Sequence, residues 1–252
     1  LPELPVSKRT LKVSVAAVFT ALIAVATMSF SVSVPATRGY FNIGETAIYV
    51  SAILFGSSVG GLTGGLGSMI ADLALGYAIY APATLVIKGL EGAVVGFLAK
   101  REPYESLSPG FRRLLMFAAT ALLAAIIFII GVGYYAGLME FTLASPVMLI
   151  GFRITVPTTF WIALSVLAAA TVLYVSLRYG PSLSWQIFAV LIGGAEMVTG
   201  YFIYEQFLLG VAAIAEVPIN IGQMMIGTVV AIPLVRAIRS RIPQTLIDTL
   251  ND

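Results

Sequence analysis

The chain has no cysteine, no histidine and few charges of either sign. Without cysteine there is no disulfide framework, no thiolate nucleophile and no Fe–S or cysteine–zinc centre. Without histidine, Ser–His catalysis, HExxH zinc chemistry and haem–histidine ligation are excluded as well. Most membrane enzymes lose their catalytic residues at this step, so no enzymatic activity, cofactor or metal site is expected. Charged residues make up only 10% of the 252, against about a quarter in a soluble domain. With 59% hydrophobic residues and a mean hydropathy of +1.00, the composition is that of an integral membrane protein. A formal net charge of +2 is too small to point to a nucleic-acid partner.

The apolar runs are long and broken by Gly and Pro, which suits helices rather than the alternating strands of a β-barrel. The expected fold is an all-α membrane bundle forming one domain over 1–252. About eight passes are expected, over 13–34, 47–55, 56–77, 82–99, 114–135, 158–177, 185–208 and 211–235. The first run follows a basic stretch and is long for a secretory signal, so it is read as a retained helix. Residues 35–42 (PATRGYFN) read as a turn-rich loop. The mixed stretch 139–157 is expected at a surface with a short interfacial helix. Eight passes with both termini inside place Lys8, Arg9, Lys12, Lys100, Arg101, Arg112, Arg113, Arg178, Arg236, Arg239 and Arg241 on the cytoplasmic side. These are eleven of the fourteen basic residues, the asymmetry expected of cytoplasmic loops.

Residues 39–100 are apolar enough for lipid, yet carry Glu45, Asp72, Lys88 and Glu91 among many glycines and several tyrosines. Ionisable groups inside a membrane are costly and face cavities or one another, so a functional site is the first reading. Helical rise puts Lys88 about 10 Å below the outer surface, with Glu91 one turn deeper. Glu196 falls near the midplane, with Tyr204 two turns above it. Glu216, Asn220 and Gln223 share one face at i, i+4 and i+7, beside Pro218, which lacks an N–H and frees a backbone carbonyl. With Asn42 at the outer end of the second span, these groups outline a pocket open to the outside. The plainer alternatives stay open. Lys88 pairs structurally with Glu91 or Glu196; Glu45, Glu140 and Glu205 sit at the water interface. Tyr40, Tyr49, Tyr77 and Tyr80 form an aromatic belt, and the Gly pairs at 60/64, 61/65 and 92/96 pack helices.

The segments GYFNIGETAIYVSAILFG, YAPATLVIKGLEGAVVGFLAK, EMVTGYFIYEQFLLG and AEVPINIGQMMIGTVVAIPL, in this order, resemble the substrate-binding S component of energy-coupling factor (ECF) vitamin transporters. The resemblance covers residues 9–100 and 185–237. Such components typically have six helices, so residues 112–180 read as two additional, inserted spans. The resemblance implies a plasma-membrane subunit that binds a vitamin or precursor from outside. It then docks on a shared ECF transmembrane subunit driven by two ATPase subunits. It also implies a docking stripe on the first helix, matched by Ala17 and Ala21 and continued by Ala24, small residues that permit close helix approach. The family's pocket maps onto the loop 35–42 and onto Lys88, Glu91, Glu196 to Tyr204 and Glu216 to Gln223. The chain contains no GxxxxGK[ST] loop, so active import requires ATPase partners.

A free-standing secondary transporter, with Glu196 or Lys88 cycling protons, is the competing function. Such carriers often show internal repeats, and none is evident here. Both signs of charge beside amides and tyrosines suit a polar aromatic heterocycle; thiamin, its pyrimidine precursor, pyridoxine and riboflavin all qualify. A buried Glu accepting from an exocyclic amine favours a thiamin-type or pyridoxine-type compound.

Overall fold

The computed structural model describes residues 7–34, 39–101, 108–134, 136–145, 148–179 and 181–243. Seven long helices dominate them: α1 (Lys8–Ser29), α2 (Glu45–Leu75), α3 (Ala81–Lys100), α4 (Pro109–Tyr134), α5 (Thr158–Tyr179), α6 (Pro181–Leu209) and α7 (Val217–Arg239). Among the described residues, six helices are long and apolar enough to cross a bilayer. The difference from eight expected passes lies in α2, which counts once, and in α5, whose apolar stretch is shorter. Large apolar side chains exposed on the outside, such as Val18, Leu22, Leu122, Ile129 and Leu167, suit a lipid surround.

α2 is a hairpin. At Gly56 the backbone turns to φ 81°, ψ −172°, a conformation open to glycine and strained for other residues. The two arms, 45–55 and 57–75, therefore fold back on each other. Ser51 Oγ and Thr63 Oγ1 lie 3.0 Å apart, whereas twelve residues of straight helix would separate them by about 18 Å. The expected second and third spans are these two arms. A Cβ on Gly60 would sit 2.7 Å from both Ala52 Cα and the Gly92 carbonyl oxygen, so only hydrogen fits where the second arm meets the first arm and α3. The first arm becomes the centre of the core: Ile48, Tyr49, Val50, Ala52, Ile53 and Leu54 are all essentially inaccessible. At the bend, the Arg239 guanidinium donates to the Ile53 carbonyl at 3.2 Å, supplying a partner where the helix is broken.

The fold is not purely helical. α1 stops at Ser29 rather than continuing to residue 34, because Phe30 is extended (φ −139°, ψ 99°) and the alternating SVSV that follows is strand sequence. β1 (Ser31–Val34) pairs antiparallel with β2 (Gly39–Asn42) in the register Ser31↔Asn42. The stretch expected to hold an interfacial helix instead forms a hairpin, β3 (Gly137–Ser145) and β4 (Met148–Val156), registered as Glu140↔Arg153. β3 also pairs with β1, giving one sheet in the order β2-β1-β3-β4. A run such as FRITV, β-branched and without helical periodicity, gains more from pairing than from a helix. Of the loop at 35–42, residues 35–38 lie outside the described residues, as do residues 102–107 and the tail beyond 243.

The last helix also begins later than expected. Residues Gly210–Ala215 form a short 3-10 segment, and Pro218 sits in the first turn of α7, where no intrahelical N–H is required. It therefore starts the helix rather than freeing a carbonyl within it. At one end of the bundle, the Gly56 bend lies against Gly96, and Trp185 Nε1 donates to the Leu98 carbonyl at 2.6 Å. β2 and the starts of α2, α3 and α7 gather at the other end, and the cavity opens there.

The glycine contacts make a matched prediction. A methyl on Gly92 would overlap the Gly60 carbonyl, whereas one on Gly89 would meet Gly61 O at an ordinary 3.5 Å. Gly92→Ala should cost about 1–3 kcal/mol through overpacking, and Gly89→Ala should be neutral or stabilising by up to about 1 kcal/mol. Thermal unfolding of both variants in the same detergent checks the pair.

Candidate solute-binding cavity

The walls of the cavity are polar pairs at helical spacing. Ser68 and Asp72 come from the second arm of α2, Thr84 and Lys88 from α3, and Tyr201 and Glu205 from α6, each pair at i, i+4. Glu216, Asn220 and Gln223 come from the turn before α7 and its first two turns. Thr27 of α1, Tyr80, and Gly39, Tyr40 and Asn42 of β2 complete the lining. Together they line a cavity of about 40 Å³, room for one or two waters and well below the few hundred Å³ of a site filled by a drug-sized ligand.

The floor is an ion cluster. Lys88 Nζ is hydrogen-bonded to Glu45 Oε1 and lies 3.2 Å from Glu91 Oε2. Glu91 Oε1 accepts from the Tyr49 hydroxyl at 2.8 Å, and the Lys88 ammonium lies 5.5 Å from the centre of the Tyr201 ring. Lys88 is 3% exposed, Glu45 1% and Glu91 0%, so the charges are compensated by one another and not by water. Glu45 was expected at the water interface. It is buried because the first arm of α2 re-enters the core immediately after β2.

Amides and a phenol order the rim. Gln223 Oε1 accepts from the Asn42 backbone N–H at 2.8 Å and from Asn42 Nδ2 at 2.5 Å, while Gln223 Nε2 donates to Asn220 Oδ1 at 3.0 Å. Asn42 Oδ1 accepts in turn from the Gly44 N–H at 2.9 Å, which fixes the entry into α2. The Tyr40 hydroxyl donates to Asp72 Oδ1 at 2.6 Å, and its ring packs on Tyr77 with centroids 4.6 Å apart. Burial first, and then the Asp72 carboxyl, hold the Tyr40 phenol well above its ordinary value, so it remains a donor. Burial, followed by Glu205 and Glu216, does the same to Tyr80. Burial pushes Glu216, at the turn between α6 and α7, up to about 7.

Of the residues expected to bind a solute, Asn42, Lys88, Glu216, Asn220 and Gln223 line this space together. Three do not. Glu91 lies beneath the floor as a partner of Lys88, Glu196 is half-buried on α6 outside the lining, and the Tyr204 hydroxyl donates to the Ile79 carbonyl at 2.5 Å. Glu205, expected at the interface, is 2% exposed and belongs to the wall. Tyr40 and Tyr80 line the cavity and Tyr49 is fully buried, so these three are not an aromatic belt. Glu140's side chain lies outside the described residues. Ser68 and Thr84 are not singled out in the sequence because each alone is ordinary in a membrane helix, and Tyr201 enters only within the span Glu196 to Tyr204. Their signal was the i, i+4 partnership with an acid or a lysine.

On α1, Ala17 and Ala21 are exposed beside Val18 and Leu22, whereas Ala24 is 4% exposed and packs inside. The smooth outward stripe therefore consists of Ala17 and Ala21 without Ala24.

A multi-pass helical membrane protein with a polar cavity enclosed at one end of its bundle is, by class, a candidate binder of small polar solutes. The family model described as "ECF-type riboflavin transporter, S component" matches residues 7–179, well over half of the chain. The chain belongs to this family, a family of transporter components and not of enzymes. The match runs through 112–179, the region expected to be inserted, and ends before 185–237. A protein of Pyrococcus woesei, described as an uncharacterized protein in the gap 3' region, is 47% identical over 78 residues. That alignment takes in 31% of this chain and 52% of the relative, so the chain spans about half the length of the curated relative it matches.

The ion cluster predicts a double-variant rescue. Lys88→Met leaves Glu45 and Glu91 buried and uncompensated, and should cost about 3–5 kcal/mol. Adding Glu45→Gln removes one of the stranded charges and should restore part of the loss. Chemical denaturation in detergent, followed by tryptophan fluorescence, measures both.

Proposed function

We propose that the chain is the solute-binding subunit of a vitamin importer in the plasma membrane. The observation that carries this reading is the convergence of polar groups from α1, α2, α3, α6, α7 and β2 on one enclosed space inside an apolar bundle. A structural ion pair accounts for Lys88, Glu45 and Glu91. It does not account for a void beside them edged by Asn42, Asn220 and Gln223. Membership of the S-component family supports the same reading.

In this proposal the chain crosses the membrane eight times, the two arms of α2 counting as two passes. Both termini are cytoplasmic, and the cavity opens outward. The basic residues at the start of α1 and the ends of α3 and α7 lie at the end away from the cavity, as that orientation requires. A solute enters beneath β2, is held by the amide group of Asn42, Asn220 and Gln223, and is carried inward after the chain docks on an energising module. That module supplies the ATPases the sequence lacks. The exposed stripe of Ala17 and Ala21 lets another helix approach α1 closely and is the proposed docking face. The family's description names riboflavin, which displaces the sequence-based preference for thiamin-type or pyridoxine-type cargo as the first compound to test.

Native mass spectrometry of the purified protein should show a co-purified vitamin, and its absence together with no binding from a vitamin panel would refute the proposal. Asn220→Ala should weaken binding of the solute about tenfold, the loss of one buried hydrogen bond or two. Glu196→Gln, outside the lining, should leave binding within about twofold, a difference of some 0.4 kcal/mol. Uptake into vesicles containing the energising module should survive collapse of the proton gradient, as a proton-coupled carrier would not.

A further inference from the structure

The amides at the rim form a relay whose polarity is set by the backbone. The oxygen and nitrogen ends of a side-chain amide have nearly the same shape, so its partners decide which way it points. A backbone N–H can only donate, and it therefore fixes the oxygen of any amide it meets. The Gly44 N–H does this for Asn42, whose Oδ1 accepts at 2.9 Å. The Asn42 N–H does it for Gln223, whose Oε1 accepts at 2.8 Å and takes a second bond from Asn42 Nδ2. With that oxygen filled, Gln223 turns its Nε2 to Asn220 and donates to Oδ1 at 3.0 Å. Asn220 is buried and lines the cavity. Its oxygen is committed, so the end it keeps for the cavity is Nδ2, which has no hydrogen-bond partner among the described residues.

We infer that Gln223 is a positioning residue: it holds the Asn220 amide with its N–H groups toward the guest, so that the cavity selects a solute presenting a hydrogen-bond acceptor there, a carbonyl oxygen or an unprotonated ring nitrogen. The inference rests on reading the cavity as the solute site. A guest that offers an N–H at this point sets donor against donor, and a buried donor left without an acceptor is penalised. The three amides are bonded to one another and to the entry of α2, so they move as one unit when the walls spread around a guest. None of them titrates, so the preference for an acceptor does not depend on how the nearby acids are ionised. Riboflavin, the solute named for the family, meets the requirement through its ring carbonyls.

Gln223→Glu isolates the relay. Its carboxylate still accepts from the Asn42 N–H and Nδ2, so the contact with β2 survives, but its second oxygen now needs a donor from Asn220. The Asn220 amide turns over and shows Oδ1 to the cavity. Isothermal calorimetry on the full chain in detergent should find riboflavin bound about tenfold or more weakly by Gln223→Glu. Asn220→Asp, which puts an acceptor at the same place and leaves Gln223 untouched, should weaken binding at least as much. In an Asn220→Ala background, Gln223→Glu should change riboflavin affinity by less than about threefold, because no amide remains to turn. The double variant carries the same added charge, so it separates polarity from charge. Undiminished riboflavin binding by Gln223→Glu and Asn220→Asp would overturn the inference and leave the importer proposal standing. So would a tenfold loss from Gln223→Glu in the Asn220→Ala background. If riboflavin does not bind the unaltered chain, the same series is read with thiamin or pyridoxine, and the same ratios are expected. If none of the three binds and no solute co-purifies, both fall.

Discussion

The Lys88 ammonium, clamped between Glu45 and Glu91 in an apolar bundle, is the contact on which the rest of the structure depends. Glu45 begins the first arm of α2 and Lys88 stands on α3, so the cluster joins the re-entrant arm to its neighbour. Without water to compensate these charges, the alternatives to pairing are far worse than in a soluble core, which makes the geometry close to obligatory. The neighbouring glycines make the same demand from the other side. Where Gly60 meets Gly92, backbones touch, and this close approach sets α3 against α2 at the distance the ion cluster requires. Packing and charge therefore specify one arrangement between them.

That arrangement leaves a void above the cluster and not within it. The walls follow from a simple repetition: α2, α3, α6 and α7 each contribute polar residues one turn apart, so that the polar face of each is short. Below the ion cluster the interior is dry, with Tyr49, Ile53, Val95, Val190 and Met197 filling it. A guest entering from the β2 side would meet hydrogen-bonding groups first and a neutralised floor last.

Composition and run length made the membrane bundle legible, and the cluster Glu216, Asn220 and Gln223 was readable because i, i+4, i+7 spacing fixes a face whatever the neighbours do. Lys88 with Glu91 was readable for the same reason. Depth was not. Glu45 follows the polar residues Asn42 and Gly44 and so reads as interfacial, yet the hairpin at Gly56 carries the arm it begins into the centre of the core. A sequence shows that residues 47–55 are short for a pass of their own. It does not show that a single left-handed glycine returns the chain along its own first arm. Glu205 misled in a similar way, lying near the end of a long helix but facing inward toward Glu216. The strands escaped notice because short β-branched runs beside long apolar helices carry little periodicity of their own.

The sheet alters how residues 112–180 should be regarded. β1 occupies the middle of the sheet, pairing on one side with β2 and on the other with β3, which begins three residues after α4. β2 carries Tyr40 and Asn42 into the cavity, and Asn42 is fastened to Gln223 of α7. A continuous path of backbone hydrogen bonds thus runs from the segment between α4 and α5, through β1, to two residues that line the cavity. Strand pairing has a fixed register, and a slip of one residue would turn Tyr40 and Asn42 away from the space they line. The segment that reads in sequence as an addition between two halves is, in the fold, part of what holds the edge of the cavity in place.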